Sequence, residues 1–307
     1  MIKNVIWLFQ VAVLYVLTLA FAVLPACLVY PTGRFVGRLG GVIIPKRRRI
    51  AVDNISKALP TMMKRPGWNC PLLTPEEIAR VMFCHLGMSF VEVCRLYHGR
   101  SKDVMQRVEV RGTEYLEAAR ARGKGVVILT GHCGNWELAA LALARHFDTP
   151  MSVVARRQDN PYLNKIVEKV RLRYGNLIIY KNSAIRNMLS VIRKNGVIGL
   201  LIDQAVFPEN GALVNFLGRT AWASKVPVLL ARKSGTAVVP AFIHREEDRH
   251  IIDIYPELVF SSDASDQGVA ADVATYSQAI ENFIVQHPVD WYWVHRRWKR
   301  AGELVAD

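Results

Sequence analysis

The sequence predicts an α/β fold, a mostly parallel mixed sheet flanked by helices, behind an N-terminal transmembrane helix. Two observations predict the layers. Short runs rich in Val and Ile alternate with segments of helical period from residue 108 onward, the pattern of βαβ units. One run, Val126-Val127-Ile128-Leu129, is continuously apolar and mostly β-branched, which suits a strand buried on both faces. A third observation predicts the leading helix. Val5 to Leu24 holds only two polar residues, Gln10 and Thr18, and twenty helical residues span roughly 30 Å, the thickness of a bilayer core.

Composition agrees. The chain has 307 residues, 51% of them hydrophobic, and a formal net charge of +14; mean hydropathy is +0.14. So basic a surface seeks anions: nucleic acid, phospholipid head groups or phosphorylated substrates. The five cysteines, Cys27, Cys70, Cys84, Cys94 and Cys133, form no metal-type doublet and read as reduced thiols. No metal or other cofactor is expected.

The chain divides into an anchor, residues 1–30, and one α/β domain, residues 31–307. Lys3 precedes the apolar segment, whereas Arg34, Arg38 and Lys46-Arg47-Arg48-Arg49 follow it, so the body belongs on the cytoplasmic side. A cleaved signal peptide has a shorter apolar region. Leu24-Pro25-Ala26-Cys27 loosely matches a lipoprotein cleavage site, but the basic cluster argues against export. Tyr30–Pro45, rich in Gly and apolar patches, reads as a hairpin in the membrane interface. Lys46–Leu59 is a basic amphipathic helix that stops at Pro60, and Thr61–Leu73 is a loop with an exposed Trp68. Thr74-Pro75-Glu76-Glu77 opens a helix to about Tyr97, with cap residue, Pro and acids in sequence.

Strand Val108–Gly112 and helix Thr113–Arg122 lead to the central strand. It ends in the turn GHCGNWE, where Gly131 and Gly134 break the run, Asn135 is a good cap and Trp136–Phe147 is the next helix. On one continuous helix, residues five apart lie about 140° apart. With His132 before the cap and Glu137 in the first helical turn, the carboxylate can approach the imidazole, giving a general base of raised proton affinity. Strand Met151–Ala155, helix Tyr162–Tyr174 with Lys165, Lys169, Arg171 and Arg173, strand Leu177–Tyr180 and helix Ala184–Lys194 follow. Strand Val197–Ile202 delivers Asp203, which ends a strand as His132 does and can face the same pocket; capping the next turn is its plainer role. Strand Val214–Leu217, helix Ser224–Ser234, strands Ala237–His244 and Ile251–Tyr255 and helix Asp272–Gln286 complete the body. The tail, Trp291 to Arg300, interleaves aromatics with cations, a composition that suits a bilayer interface, single-stranded nucleic acid or a packed surface.

GHCGNWEL, ARRQDNPYLN, GLLIDQ followed by NFLGR, PVLLARKSGTAVVP and HPVDWYWVHRRWK together resemble the lipid A late (secondary) acyltransferases, the lauroyl and myristoyl transferases of Gram-negative inner membranes. The likeness runs from about Arg47 to Lys299 in the same motif order. It implies a glycerolipid-acyltransferase-like fold and transfer of a fatty acyl chain from acyl carrier protein to a hydroxyl on an acyl chain of a lipid A precursor. By position, His132 matches the family's general base and Glu137 its orienting acid; Arg171, Asp203, Arg156 and Asn160 match further polar positions that bind substrate. The implied partners are acyl carrier protein, the lipid A precursor and anionic membrane lipids, with no nucleic acid. Cys133 stands where the family commonly has Phe, which raises a Cys–His nucleophile as an alternative. Phe207-Pro208-Glu209 resembles the phosphate-binding motif of glycerol-phosphate acyltransferases, but Asn210 interrupts it. The other functional readings are an acyltransferase on another glycolipid, such as a phosphatidylinositol mannoside with acyl-CoA as donor, and a membrane-tethered binder of nucleic acid or lipid.

Overall fold

The computed structural model describes residues 2–180 and 184–301. In chain order the elements are helices α1 (Ile2–Ala22), α2 (Ala26–Ile43), α3 (Pro45–Met62), α4 (Pro75–Tyr97) and α5 (Lys102–Met105). Alternation follows: β1 (Val108–Arg111), α6 (Thr113–Ala121), β2 (Val126–Thr130), α7 (Trp136–His146), β3 (Met151–Ala155), α8 (Pro161–Arg173), β4 (Leu177–Tyr180), α9 (Ala184–Arg193) and β5 (Val197–Leu201). A hairpin, β6 (Gly211–Phe216) and β7 (Arg219–Ser224), leads to α10 (Val226–Ser234), β8 (Ala237–Glu246), β9 (Arg249–Ile254) and α11 (Asp266–Gln286).

Seven strands make one sheet in the order β1-β9-β8-β2-β5-β3-β4. Every neighbouring pair is parallel except β8 and β9, which are antiparallel. This is the expected α/β architecture. Because side chains alternate across a strand, β2 serves two cores. Val127 and Leu129 join Ile198, Leu200, Val238 and Phe242 under α3, α9 and α11. Val126 and Ile128 join Val197, Val239 and Ile243 on the side of α6 and α7.

The helix start at Thr74 is a capping box: the Thr74 hydroxyl accepts the Glu77 N–H and the Glu77 carboxylate accepts the Thr74 N–H. Three N-terminal expectations change. Tyr30–Pro45 is no hairpin; up to Ile43 it is part of the continuous helix α2, with Pro31 inside it, and Pro45 opens α3. Gly33, Gly37 and Gly41 repeat every four residues on one buried face, and a Cβ at Gly37 would stand 2.1 Å from the Phe83 carbonyl oxygen of α4. Close backbone packing against α4 outweighs the poor helix propensity of glycine. Helix α3 runs past Pro60 to Met62, and Trp68 is half-buried against the core.

The tail differs most. Trp291, Trp293, Trp298 and Arg297 are all buried, so the tryptophans and Arg297 are packing, while Arg296 and Lys299 stay exposed. The Trp298 indole donates to the Phe216 carbonyl at 3.1 Å, the Trp293 indole to the Pro288 carbonyl at 2.7 Å, and the Arg297 guanidinium to the Trp222 carbonyl at 2.5 Å. Arg297 also lies 4.6 Å over the Phe216 ring. The tail thereby closes one wall behind β2.

Helix α1 is long and apolar enough to cross a membrane by length and composition, with mean hydropathy 2.3 over Lys3–Ala22. It does not stand free. The Asn160 side chain donates to the Trp7 carbonyl at 3.1 Å, Thr18 Oγ1 meets His98 Nε2 at 2.9 Å, and Arg95 donates to the Ala22 carbonyl at 3.2 Å.

Candidate active site

The turn after β2 is fixed from three directions. Asn135 caps α7: its Oδ1 accepts the Leu138 N–H at 3.1 Å, and its Nδ2 donates to Glu92 Oε2 of α4 at 2.9 Å. Glu92 is fully buried and also takes Arg245 at 2.9 Å and His250 at 3.1 Å. Burial works against its charge, but His250 and Arg245 hold its pKa down at about 2. From behind, the Gly134 N–H donates to the Asp290 carbonyl at 2.7 Å and the Tyr292 N–H to the His132 carbonyl at 3.0 Å. Gly134 has φ +47°, and a Cβ there would meet the Ile243 carbonyl oxygen at 2.6 Å, so this position needs glycine.

The imidazole of His132 is partnered by Asp203, not by Glu137 as the sequence suggests. Nδ1 lies 2.7 Å from Asp203 Oδ1, while Oδ2 accepts the His132 backbone N–H at 2.9 Å and the Trp291 indole N–H at 2.9 Å. The sheet explains the pairing. Strands β2 and β5 are parallel neighbours with Thr130 opposite Leu201, so the next in-phase pair two residues on is His132 and Asp203. Glu137 instead accepts from Arg171 of α8 at 3.0 and 3.3 Å. The longer guanidinium reaches the first turn of α7, satisfies that carboxylate and keeps it off the ring.

Burial alone would lower the proton affinity of His132, but the adjoining Asp203 charge and hydrogen bond, helped by Glu137, bring the net shift upward. Asp203 is fully buried; burial disfavours its charge, yet His132 and its other donors hold the carboxyl well below the usual carboxylate range. With Nδ1–H donated to an ionised carboxylate, Nε2 carries the lone pair. Nε2 lies 3.4 Å from Gln204 Nε2, and Trp136 and Tyr292 flank the ring at 5.2 and 6.0 Å between centroids. His295 Nε2 stands 4.0 Å from Asp203; burial depresses its pKa to about 4, so it is neutral at pH 7.

His132 opens onto a cavity of about 760 Å³. Its lining is part polar, with Glu137, Arg156, Asn164 and Arg171, and part apolar, with Val154, Ile178, Met188, Leu200 and Val226. Five of the six residues singled out from sequence thus gather here: His132, Glu137, Arg156 and Arg171 line the cavity, and Asp203 stands behind the ring. Asn160 does another job. It caps α8, its Oδ1 accepting the Tyr162 and Leu163 N–H groups, while its Nδ2 holds α1. The sequence reading missed Trp291 and Glu92, since neither sits near the motif in sequence.

Cys133 is wholly buried in the core. Burial, then the charges of Asp203 and Asp290, push its thiol well above the ordinary value. No thiolate forms near neutral pH, which removes the Cys–His alternative. Of metal-ligating types, His244, Asp253 and His287 bring one donor atom each within 4.8 Å of one another. However, His244 already bonds Asp253 at 2.9 Å and its ring stacks on that of His287 at 3.7 Å and 23°. Near-parallel rings do not aim their in-plane lone pairs at one ion.

A buried carboxylate, an oriented imidazole and an apolar cavity together suit proton transfer next to a long apolar substrate. Comparison with known proteins identifies the family. The family described as bacterial lipid A biosynthesis acyltransferase matches residues 2–300. A lipid A biosynthesis acyltransferase of Haemophilus influenzae is 23% identical over 316 residues, covering 100% of this chain and 92% of the relative. The lipid A biosynthesis lauroyltransferase of Escherichia coli K12 is 24% identical over 286 residues, 92% of this chain and 89% of the relative. A phosphatidylinositol mannoside acyltransferase of Mycobacterium tuberculosis is 26% identical over 239 residues, 74% and 72%. Among solved structures, the 1-acyl-sn-glycerophosphate acyltransferase PlsC of Thermotoga maritima aligns with TM-score 0.38 and 11% identity over 84% of this chain and 96% of that one. This chain belongs to the bacterial lipid A biosynthesis acyltransferase family.

Proposed function

We propose that this protein is a membrane-bound O-acyltransferase that moves a fatty acyl chain from acyl carrier protein onto a hydroxyl of an acyl chain on a lipid A precursor. The observation that carries the reading is the His132 to Asp203 hydrogen bond, 2.7 Å, beside a cavity whose lining is partly apolar. His132 Nε2 takes the proton of the lipid hydroxyl as its oxygen attacks the thioester carbonyl. The tetrahedral oxyanion collapses, the C–S bond breaks, and His132 returns the proton to the departing thiolate. Arg171, fixed by Glu137, supplies positive charge beside the reacting carbonyl or a substrate phosphate, and Arg156 adds a second cation in the lining. The apolar part of the lining takes the acyl chain.

Residues 1–30 serve as the anchor and residues 31–307 as one catalytic domain, facing the cytoplasm at the bacterial inner membrane; residues 302–307 lie outside the described ones. Helix α2 supports the membrane reading. Leu28, Phe35, Leu39, Val42 and Ile43 are exposed on its outer face beside the exposed Arg34 and Arg38, an arrangement that fits a bilayer surface with anionic head groups.

His132→Ala should abolish acyl transfer while expression and membrane association persist, and lipid A from cells lacking the protein should lose one acyl mass. Wild-type turnover by the variant, or unchanged lipid A, refutes the reading. A second reading, acylation of a phosphatidylinositol mannoside from acyl-CoA, is favoured by the mycobacterial relative at 26% identity. Assays crossing both donors with both acceptors separate the two.

A further inference from the structure

Helix α8 has three faces. Asn164, Val167 and Arg171 line the cavity. Leu163 and Ile166 border an apolar groove shared with Val11, Leu14 and Tyr15 of α1 and with α4. At 100° per residue, Lys165, Lys169, Leu172 and Arg173 fall on the remaining side, and all four are exposed. The three cations follow each other at intervals of four, a stripe about 12 Å long at 1.5 Å per residue. Among the described residues none of them is in an ion pair, whereas Arg171 is paired with Glu137. The sole acid of the helix, Glu168, is bound to Asn164 and Tyr180. Arg157, exposed in the loop before α8, adds a further cation, while its neighbour Arg156 pairs with Asp159 at 2.7 Å.

We propose that this outward face of α8 is the docking surface for an acidic carrier protein that brings the acyl thioester; the inference rests on the donor assigned above. A bilayer is the poorer fit. Leu172 is the lone exposed large apolar residue on this face, at 58% exposure, whereas α1 and α2 present rows of them. A basic, otherwise polar stripe suits a soluble, strongly acidic partner that is steered in and held by charge at the rim. One helix then does two things at once: its outer face holds the carrier while its inner face, through Arg171 and Val167, borders the cavity the acyl chain must enter.

The test uses the full chain in detergent with the combined substitution Lys165→Glu, Lys169→Glu and Arg173→Glu. It compares one acyl chain presented on acyl carrier protein and on coenzyme A. The expected result is a tenfold or greater rise in KM for the carrier-bound donor, kcat within about twofold, and little change in KM for the coenzyme A donor. Lys165→Arg with Lys169→Arg should keep the wild-type KM, and added salt should erase the difference between wild type and the reversal variant. An unchanged carrier KM, an equal loss with both donors, or loss of binding to phosphatidylglycerol vesicles without a carrier effect each overturns the proposal. A wild-type enzyme that turns over coenzyme A donor and not carrier-bound donor overturns the donor assignment, and this surface with it.

Discussion

Replacing Asp203 by Asn removes one charge and no volume, and the structure says why that should be severe. Asp203 Oδ2 accepts two N–H groups, the backbone of His132 and the indole of Trp291. An amide keeps both only by turning its carbonyl oxygen toward them, which sets its NH2 against His132 Nδ1. Nδ1 then becomes an acceptor, the ring proton moves to Nε2, and the base is blocked. The opposite rotamer restores the tautomer but faces an NH2 toward two buried donors. Leaving a buried donor unsatisfied costs about 1–3 kcal/mol, so the bias is about 2–6 kcal/mol for the two. At about 1.4 kcal/mol per factor of ten, the productive tautomer falls roughly 30- to 20,000-fold. Initial rates in detergent should drop accordingly, with far-UV circular dichroism unchanged. The pH profile discriminates further. Asp203 raises the proton affinity of His132, so mere loss of the charge would move the acid limb to lower pH and spare the plateau; a wrong tautomer lowers the plateau at every pH. A folded variant within about threefold of wild type, or one that only shifts its acid limb, would refute this account of the base.

Cys133→Ala should leave turnover within a fewfold of wild type, because the buried thiol does not ionise; complete loss in a folded variant restores the thiol mechanism. Gly87→Ala should lower the thermal midpoint by loosening α2, since a Cβ there would stand 2.2 Å from the Gly33 carbonyl oxygen; an unchanged midpoint argues against that contact. Acid should destabilise the fold through its buried imidazoles. His287 and His295 are held to about 4 by burial, so between their ordinary value near about 6.5 and about 4 the unfolded chain binds protons that the folded one refuses. His132, shifted upward, contributes stability of the opposite sign, present below its unfolded pKa and lost as pH rises through the folded one. Burial also holds His98 below its ordinary value, so three imidazoles against one should lower the thermal midpoint by several degrees between pH 7.5 and 5, and His287→Phe should flatten the slope. A midpoint independent of pH in that range counts against buried neutral imidazoles.

Local chemistry made much of this protein legible in its sequence. The period of apolar residues set the strands and helices, the Thr74 and Asn135 caps fixed two helix starts, and Gly131 and Gly134 marked the turn that holds His132. These signals act within a few residues, so the chain states them outright. The partners did not follow, because they depend on which strands become neighbours. Asp203 reaches His132 only because β5 pairs in parallel with β2, and Glu137 turns to Arg171 only because the fold brings that guanidinium of α8 to the first turn of α7. The same holds for the glycines of α2 and the tryptophans of the tail. Each reads as a breaker or a surface group until α4 or the hairpin supplies the backbone and rings against which it packs. Sequence fixed what each residue could contribute; burial and strand order decided with whom.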